Sequence, residues 1–341
     1  ELYTRTIKVD VNAPTVTATT ASARSTISTA AADVPLTFTI ADSASESGID
    51  ISTLTLAIGS NSISGASLSD STTSVNTAYG SLSYATATDS TTGVTTYTVT
   101  AKPSNSALLS DDNENKLTSG STTFVNVTVS DVAGNQTTTT IHTFVVDTDA
   151  PEVTVTKVSG TAQYLQKSTA VTVSISDTGT LSTACYQLYA ASDTSFASPL
   201  LASPVDLTSS LGSSQSAVSF SFDVDITDLL TAGTLSDAST GSASAASSFV
   251  VAVIATDAAG NTSEYSAGVS SSYTIDQTAP SLSGATIGGE TPATSADSDK
   301  TWLSDETLTA TATLTDSVSG VSALYYQLQG LTLRIPPLRE R

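Results

Sequence analysis

One punctuation pattern occurs three times along the 341 residues, and it constrains the fold more than any other feature. It reads Val9-Asp10-Val11-Asn12-Ala13-Pro14, then Val146-Asp147-Thr148-Asp149-Ala150-Pro151, then Ile275-Asp276-Gln277-Thr278-Ala279-Pro280. A second pattern precedes the last two copies: Asp131-Val132-Ala133-Gly134-Asn135 and Asp257-Ala258-Ala259-Gly260-Asn261. A third lies in the middle of each repeat: Ile40-Ala41-Asp42 before Gly48, Ile175-Ser176-Asp177 before Gly179, and Leu314-Thr315-Asp316 before Gly320. Patterns that recur in one order at long spacing mark an array of similar units, not one continuous core. The punctuation divides the chain into residues 1–13, the terminal strand of a preceding unit, whole units at 14–150 and 151–279, a truncated unit at 280–329, and an atypical tail at 330–341.

Between the marks the chain reads with period two, the period of a half-buried strand. Leu36, Phe38 and Ile40 alternate with threonines; Val171, Val173 and Ile175 alternate with Thr172 and Ser174; Val218, Phe220, Phe222 and Val224 do the same. Ser and Thr make up roughly a third of the residues. Thr suits strands because its branched Cβ fits a pleated surface. No segment has convincing helical periodicity. The expectation is an all-β chain of tandem immunoglobulin-like β-sandwich modules. The Ser-, Thr- and Gly-rich stretches from Gly59 to Gly93 and from Ser236 to Ser248 are expected to be elaborated surface loops.

Each motif has a physical reason. In Asp-x-Ala-Gly-Asn the Gly supplies a left-handed backbone for a tight hairpin, and the Asp accepts turn amides. In Asp-x-x-Ala-Pro the Pro fixes its own φ and restricts the residue before it, so it stiffens a joint.

The joint pattern resembles the immunoglobulin-like repeats of large bacterial surface adhesins. In that family a strand ending in Asp-x-Ala-Gly-Asn is followed by one leading into Asp-x-x-Ala-Pro, and the resemblance covers most of residues 1–328. It implies an extracellular, repetitive rod, often stiffened by calcium, and it implies no chemistry.

In a sandwich of this type the loop between the last two strands, the loop between the second and third, and the incoming linker share one end. For the first whole unit this gathers Asp10, Asn12, Asp42, Asp131 and Asn135. For the second it gathers Asp147, Asp149, Asp177, Asp257 and Asn261. Carboxylates facing one joint repel unless a cation sits among them. All-oxygen donors without His or Cys suit Ca²⁺ over a transition metal. The alternative reading is that each Asp only caps its own turn.

Charge and composition narrow the function. With 32 acidic against 11 basic side chains the net charge is −21. Nucleic acid binding needs clustered Lys and Arg, so that partner is excluded. No apolar run reaches the roughly 18 residues of a membrane span. The single cysteine, Cys185, forms no internal disulfide, and the single histidine, His142, lies in a strand running from Thr137 to Val146. No nucleophile elbow, phosphate loop or His/Cys cluster stands out. Trp302 and the tyrosines could line a sugar site or serve as core. Arg334, Arg339 and Arg341 crowd the last eight positions beside Pro336 and Pro337; that segment reads as a chain boundary or a reading-frame artefact rather than a functional tail, and the chain, opening at Glu1, as an internal piece. The function expected is a non-enzymatic extracellular stalk or adhesion segment whose partners are neighbouring modules and a surface receptor or glycan. The alternative is an accessory or carbohydrate-binding region of a larger secreted enzyme.

Overall fold

The computed structural model describes residues 7–19, 26–43, 45–158, 163–242, 244–287 and 309–324. Trp302, the tyrosine-rich segment 325–328 and the tail 330–341 lie outside the described residues.

Among the described residues ten strands build the first sandwich: β1 (Thr15–Ala18), β2 (Thr26–Ile27), β3 (Leu36–Ala41), β4 (Ile49–Ile58), β5 (Asn61–Ser64), β6 (Ser74–Thr77), β7 (Gly80–Thr88), β8 (Thr95–Pro103), β9 (Thr122–Asp131) and β10 (Gln136–Val146). One sheet runs β1-β3-β8-β7-β6 and the other β2-β10-β9-β4-β5. Strands β9 and β10 form the hairpin that Asp-x-Ala-Gly-Asn predicts, with Gly134 at φ 95°. Strand β2 pairs in parallel with β10, so the entering chain lies beside the leaving one. The alternating residues behave as expected: Leu36, Phe38 and Ile40 are fully buried.

The second sandwich repeats this order with β11 (Glu152–Lys157), β12 (Tyr164–Leu165), β13 (Ser168–Ser176), β14 (Leu181–Ala190), β15 (Val205–Asp206), β16 (Ala217–Asp225), β17 (Ser248–Asp257) and β18 (Tyr273–Ile275). Its sheets run β11-β13-β16 and β12-β18-β17-β14-β15, and β12 again pairs in parallel with the last strand. The strand order, with the second and last strands adjacent in one sheet, the first strand in the other and Greek-key crossings between sheets, is that of an immunoglobulin-like sandwich. Each sandwich has its own buried cluster, one gathered from Ile27 to Val146 and the other from Val153 to Ile275. After Pro280, β19 (Ser281–Ile287) pairs with β20 (Ala310–Thr315), as the first and third strands do in the two units before.

One expectation is corrected. The stretch from Gly59 to Gly93 is not loop: it supplies β5, β6 and β7. Leu82 and Tyr84 of β7 reach the core, and the β6–β7 hairpin extends the sheet beyond β8. Among the described residues the second sandwich has no such hairpin, and β16, the counterpart of β8, is a sheet edge. Hence Val218, Phe220 and Phe222 are only half-buried, although their alternation is as regular as that of β3. The stretch from Ser236 to Ser248 carries local structure at its described residues. Asp237 caps a short 3₁₀ turn (Ala238–Thr240), and Leu235 bridges to Ala246.

Candidate metal centres at the joints

Three elements converge at the entrance to each sandwich: the linker before the proline, the loop after the second strand of the sheet, and the Asp-x-Ala-Gly-Asn turn. At the first entrance they bring Asp10, Asp42 and Asp131 together, and at the second Asp147, Asp177 and Asp257. Within each trio one carboxylate oxygen from each residue lies within 4.8 Å of the other two. Asp42, Asp131, Asp147 and Asp257 are buried. Among the described residues the only ion pair is Lys116–Asp111, distant in sequence from both trios.

The turns are built alike. Asn135 donates its backbone N–H to Asp131 Oδ1 at 2.8 Å and its amide to Oδ2 at 2.7 Å. Asn261 does the same to Asp257 at 2.9 and 2.8 Å. The same amide also reaches the linker carbonyl, Asp10 O at 3.2 Å or Asp147 O at 3.0 Å. The Asn of the motif therefore ties turn to linker in both copies.

The loops after the second strand differ. In the first sandwich that loop is long, and its amides satisfy the acids. Ser43 and Gly48 donate to the two oxygens of Asp42, both at 2.9 Å, and Ser47 donates to Asp10 Oδ2 at 2.7 Å. It also adds Glu46, which accepts from Ser43 N and from the Asn12 amide. In the second sandwich the loop is short, and Gly179 N donates to Asp177 Oδ1 at 2.6 Å. Asp147 Oδ1 there is buried with no hydrogen-bond partner. A Cβ at Gly179 would stand 2.6 Å from Asp147 Oδ2, so only glycine lets that carboxylate approach.

Electrostatics follow the geometry. Burial pushes the Asp147 carboxyl above the ordinary range, and the charges of Asp257 and Asp177 push it further. Burial raises Asp177 too, against the opposing hydrogen bond from Gly179. Asp42 is pushed up to about 6, by burial first and then by its contact with Glu46. Glu46 is drawn down to about 2 by the hydrogen bond from Asp42 and by Ser43 N. Hydrogen bonds from Ser47 lower Asp10. Crowded buried carboxylates either take up protons or recruit a cation. An all-oxygen set with one orphaned buried oxygen could hold a metal ion.

Two of the expected residues stand apart from the trios. Asn12 is exposed and spends its amide on Glu46 at 2.5 Å. Asp149 is exposed, and its Oδ2 accepts from Ser119 Oγ at 2.8 Å, back on the first sandwich. Sequence reasoning missed Glu46, the close approach of Gly179 to Asp147 and the linker clamps. Ser119 Oγ also accepts Thr148 N at 3.0 Å; in the second unit Asp237 takes Gln277 N at 2.7 Å and Thr278 Oγ1 at 2.9 Å. Those partners sit outside the repeated motifs, so only an alignment of the two loops could have pointed to them. At the third entrance Asp276, also buried, accepts Ser319 N at 3.2 Å from the loop that Asp316 organises.

No protein-family model and no curated protein matches the chain. Solved structures do match. The fibronectin(III)-like modules of Clostridium thermocellum CbhA are similar over 77% of this chain and 94% of that one, at 10% identity and a TM-score of 0.27. Dimeric latent PorU from Porphyromonas gingivalis is similar over 77% of this chain and 20% of its own, at 15% identity and a TM-score of 0.23. The sialic acid binding region of a Streptococcus sanguinis adhesin is similar over 78% of each chain, at 10% identity and a TM-score of 0.19. With TM-scores this low, the fold assignment rests on the strand order and not on these neighbours.

Proposed function

We propose that the chain is a non-catalytic, extracellular stalk or adhesion segment of a surface protein, in which Ca²⁺ at the entrance of each sandwich fixes the joint to the preceding one. The observation that carries this reading is the Asp147 trio: linker, loop and turn each contribute one carboxylate, and the buried Asp147 Oδ1 has no partner. A divalent ion among them would tie three separate segments by one set of bonds. Calcium suits it better than magnesium, because Ca²⁺ accepts irregular six- to eight-fold oxygen coordination while Mg²⁺ demands a near-ideal octahedron. The placement of the titratable groups supports the non-catalytic part. His142 packs edge-on to Phe144 in the first sandwich, and Cys185 lies in the second.

The test is calorimetric titration of the full chain, stripped of divalent ions, with CaCl₂ and then MgCl₂. Binding near 10⁻⁴–10⁻³ M, typical of extracellular modules, with a rise in melting temperature under calcium is expected. Neither heat nor a melting shift at millimolar Ca²⁺ would refute the reading.

A further inference from the structure

The second sandwich carries a feature that the first lacks. Its last strand is interrupted: the run from Asn261 to Asp276 is three residues longer than that from Asn135 to Asp147. In the first sandwich the run is a continuous strand, β10. In the second, regular pairing is confined to β18, and residues between Ser263 and Gly268 turn outward, with Ala267 N bonded to Glu264 O. Gly268 closes the detour by lying against Val253 O and Val153, where a Cβ would have no room.

The detour sets Tyr265 beside the loop that follows β14. The Tyr265 hydroxyl meets Cys185 Sγ at 4.0 Å, and its ring stands edge-on to the buried Tyr189 at 5.5 Å. Phe196 meets the other side of Tyr189 at 5.2 Å, also edge-on. Phe196 has a φ of 53°, in the left-handed region that side chains avoid at a cost of about 1–2 kcal/mol. Asp193 holds that loop by accepting Ser195 N, Ser195 Oγ and Ser198 N at 2.8–3.2 Å. Two half-buried rings, pinned from behind by Tyr189, therefore flank one open cleft of about 380 Å³. Strained, well-supported residues of this kind gather where a ligand is received.

The polar lining decides the ligand class. Thr194, Ser195, Ser263 and Ser266 offer hydroxyls, and the exposed Glu264 offers a carboxylate that now takes only a long bond from Ser266 Oγ at 3.3 Å. Among the described residues no cationic side chain lines the cleft. A pyranose presents a face of C–H bonds that packs on an aromatic ring and a rim of hydroxyls that bonds carboxylates and hydroxyls. The volume falls within the ~300–1,000 Å³ of small-molecule sites. The carboxylate, the neighbouring Asp193 and the net charge of −21 repel sialic and uronic acids. We propose that this cleft binds a neutral pyranose sugar, packed on Phe196 and Tyr265 and held at its hydroxyls by Glu264. The proposal is independent of the cation sites at the joints.

Saturation-transfer NMR on the full chain tests it, with the methyl β-glycosides of glucose, galactose, mannose and N-acetylglucosamine as probes and 3′-sialyllactose as the anionic control. Transfer to the ring C–H protons of at least one neutral glycoside is expected, with at least tenfold weaker binding in Phe196→Ala and in Glu264→Gln. Glu264 is exposed, so the second variant keeps the fold and isolates the hydroxyl contact. Silence from all four neutral probes, undiminished binding in both variants, or sialyllactose binding as well as the best neutral glycoside would each overturn the proposal.

Discussion

The two joints hold the same three aspartates and treat them differently. At the first, all six oxygens of Asp10, Asp42 and Asp131 accept at least one N–H, most of them from the loop between Asp42 and Gly48 or from Asn135. At the second, the loop is too short to supply those amides, and Asp147 Oδ1 is left buried and bare. A carboxylate can be satisfied by donors from its own chain or by a cation from solution. If a cation sits there as proposed, loop length sets the balance, and the shorter loop makes the joint that depends more on the ion. The sandwiches diverge in the same manner elsewhere. The first spends its long insertion on a hairpin that covers β8; the second leaves β16 as an edge and spends residues on the loops around its aromatic cleft.

The largest effects separate the two units outright. Phe38→Ala and Phe249→Ala each remove a fully buried ring from one core, at a cost of about 3–5 kcal/mol. Each should lower a single melting transition by calorimetry and leave the other in place. One merged transition that moves with either variant would erase the distinction between units.

Next come the joints. Asp257→Asn or Gly179→Ala should abolish the calcium-dependent stabilisation of the second sandwich, roughly 2.7 kcal/mol at a hundredfold excess of ion over its dissociation constant. Asp131→Asn should abolish only that of the first, and the second joint should load at the lower calcium concentration. Equal loading of both would show that the orphaned oxygen does not set affinity.

A pH effect of intermediate size sharpens the contrast. The folded carboxyls of Asp42, Asp147 and Asp177 lie above their ordinary values, so the folded chain binds more protons than the unfolded one. Their contribution is present below the ordinary carboxylate range and lost as pH rises through the raised values, near 6 for Asp42. Glu46 and Asp10 act oppositely, but only below that range. In chelator, melting temperature should therefore rise as pH falls from about 7 to 5, while the gain from calcium shrinks. A metal-free melting temperature that falls over this interval would contradict the assignment. The smallest effect is expected of Glu46→Gln, confined to the first joint and visible as a shifted calcium midpoint.

Much of the fold could be read from the chain because its signals are local. Gly134 and Gly260 announce their hairpins, and Leu36-Phe38-Ile40 announces its strand, by spacing alone. Strands β6 and β7 escaped because Ser and Thr fill much of them, and only Val75, Leu82 and Tyr84 mark the inward face. The joint acids were legible through repetition, which placed Asp10, Asp42 and Asp131 at one end before any coordinate. What repetition cannot show is difference: Glu46 and Gly179 lie in loops that do not match each other. The cleft was wholly hidden, since Tyr189, Phe196 and Tyr265 meet only after β14 and the interrupted last strand have folded side by side.

The parallel pairing of β2 with β10, and of β12 with β18, bears on how such a chain carries load. Tension applied at the two ends of a sandwich drags its entering and leaving strands past each other along their length. The bonds between them, Asp147 N to Ile27 O at 2.9 Å in the first unit and Asp276 N to Leu165 O at 3.0 Å in the second, are then strained together, in shear, and must yield together. Terminal strands paired this way resist a pull far better than a terminal hairpin that peels open bond by bond.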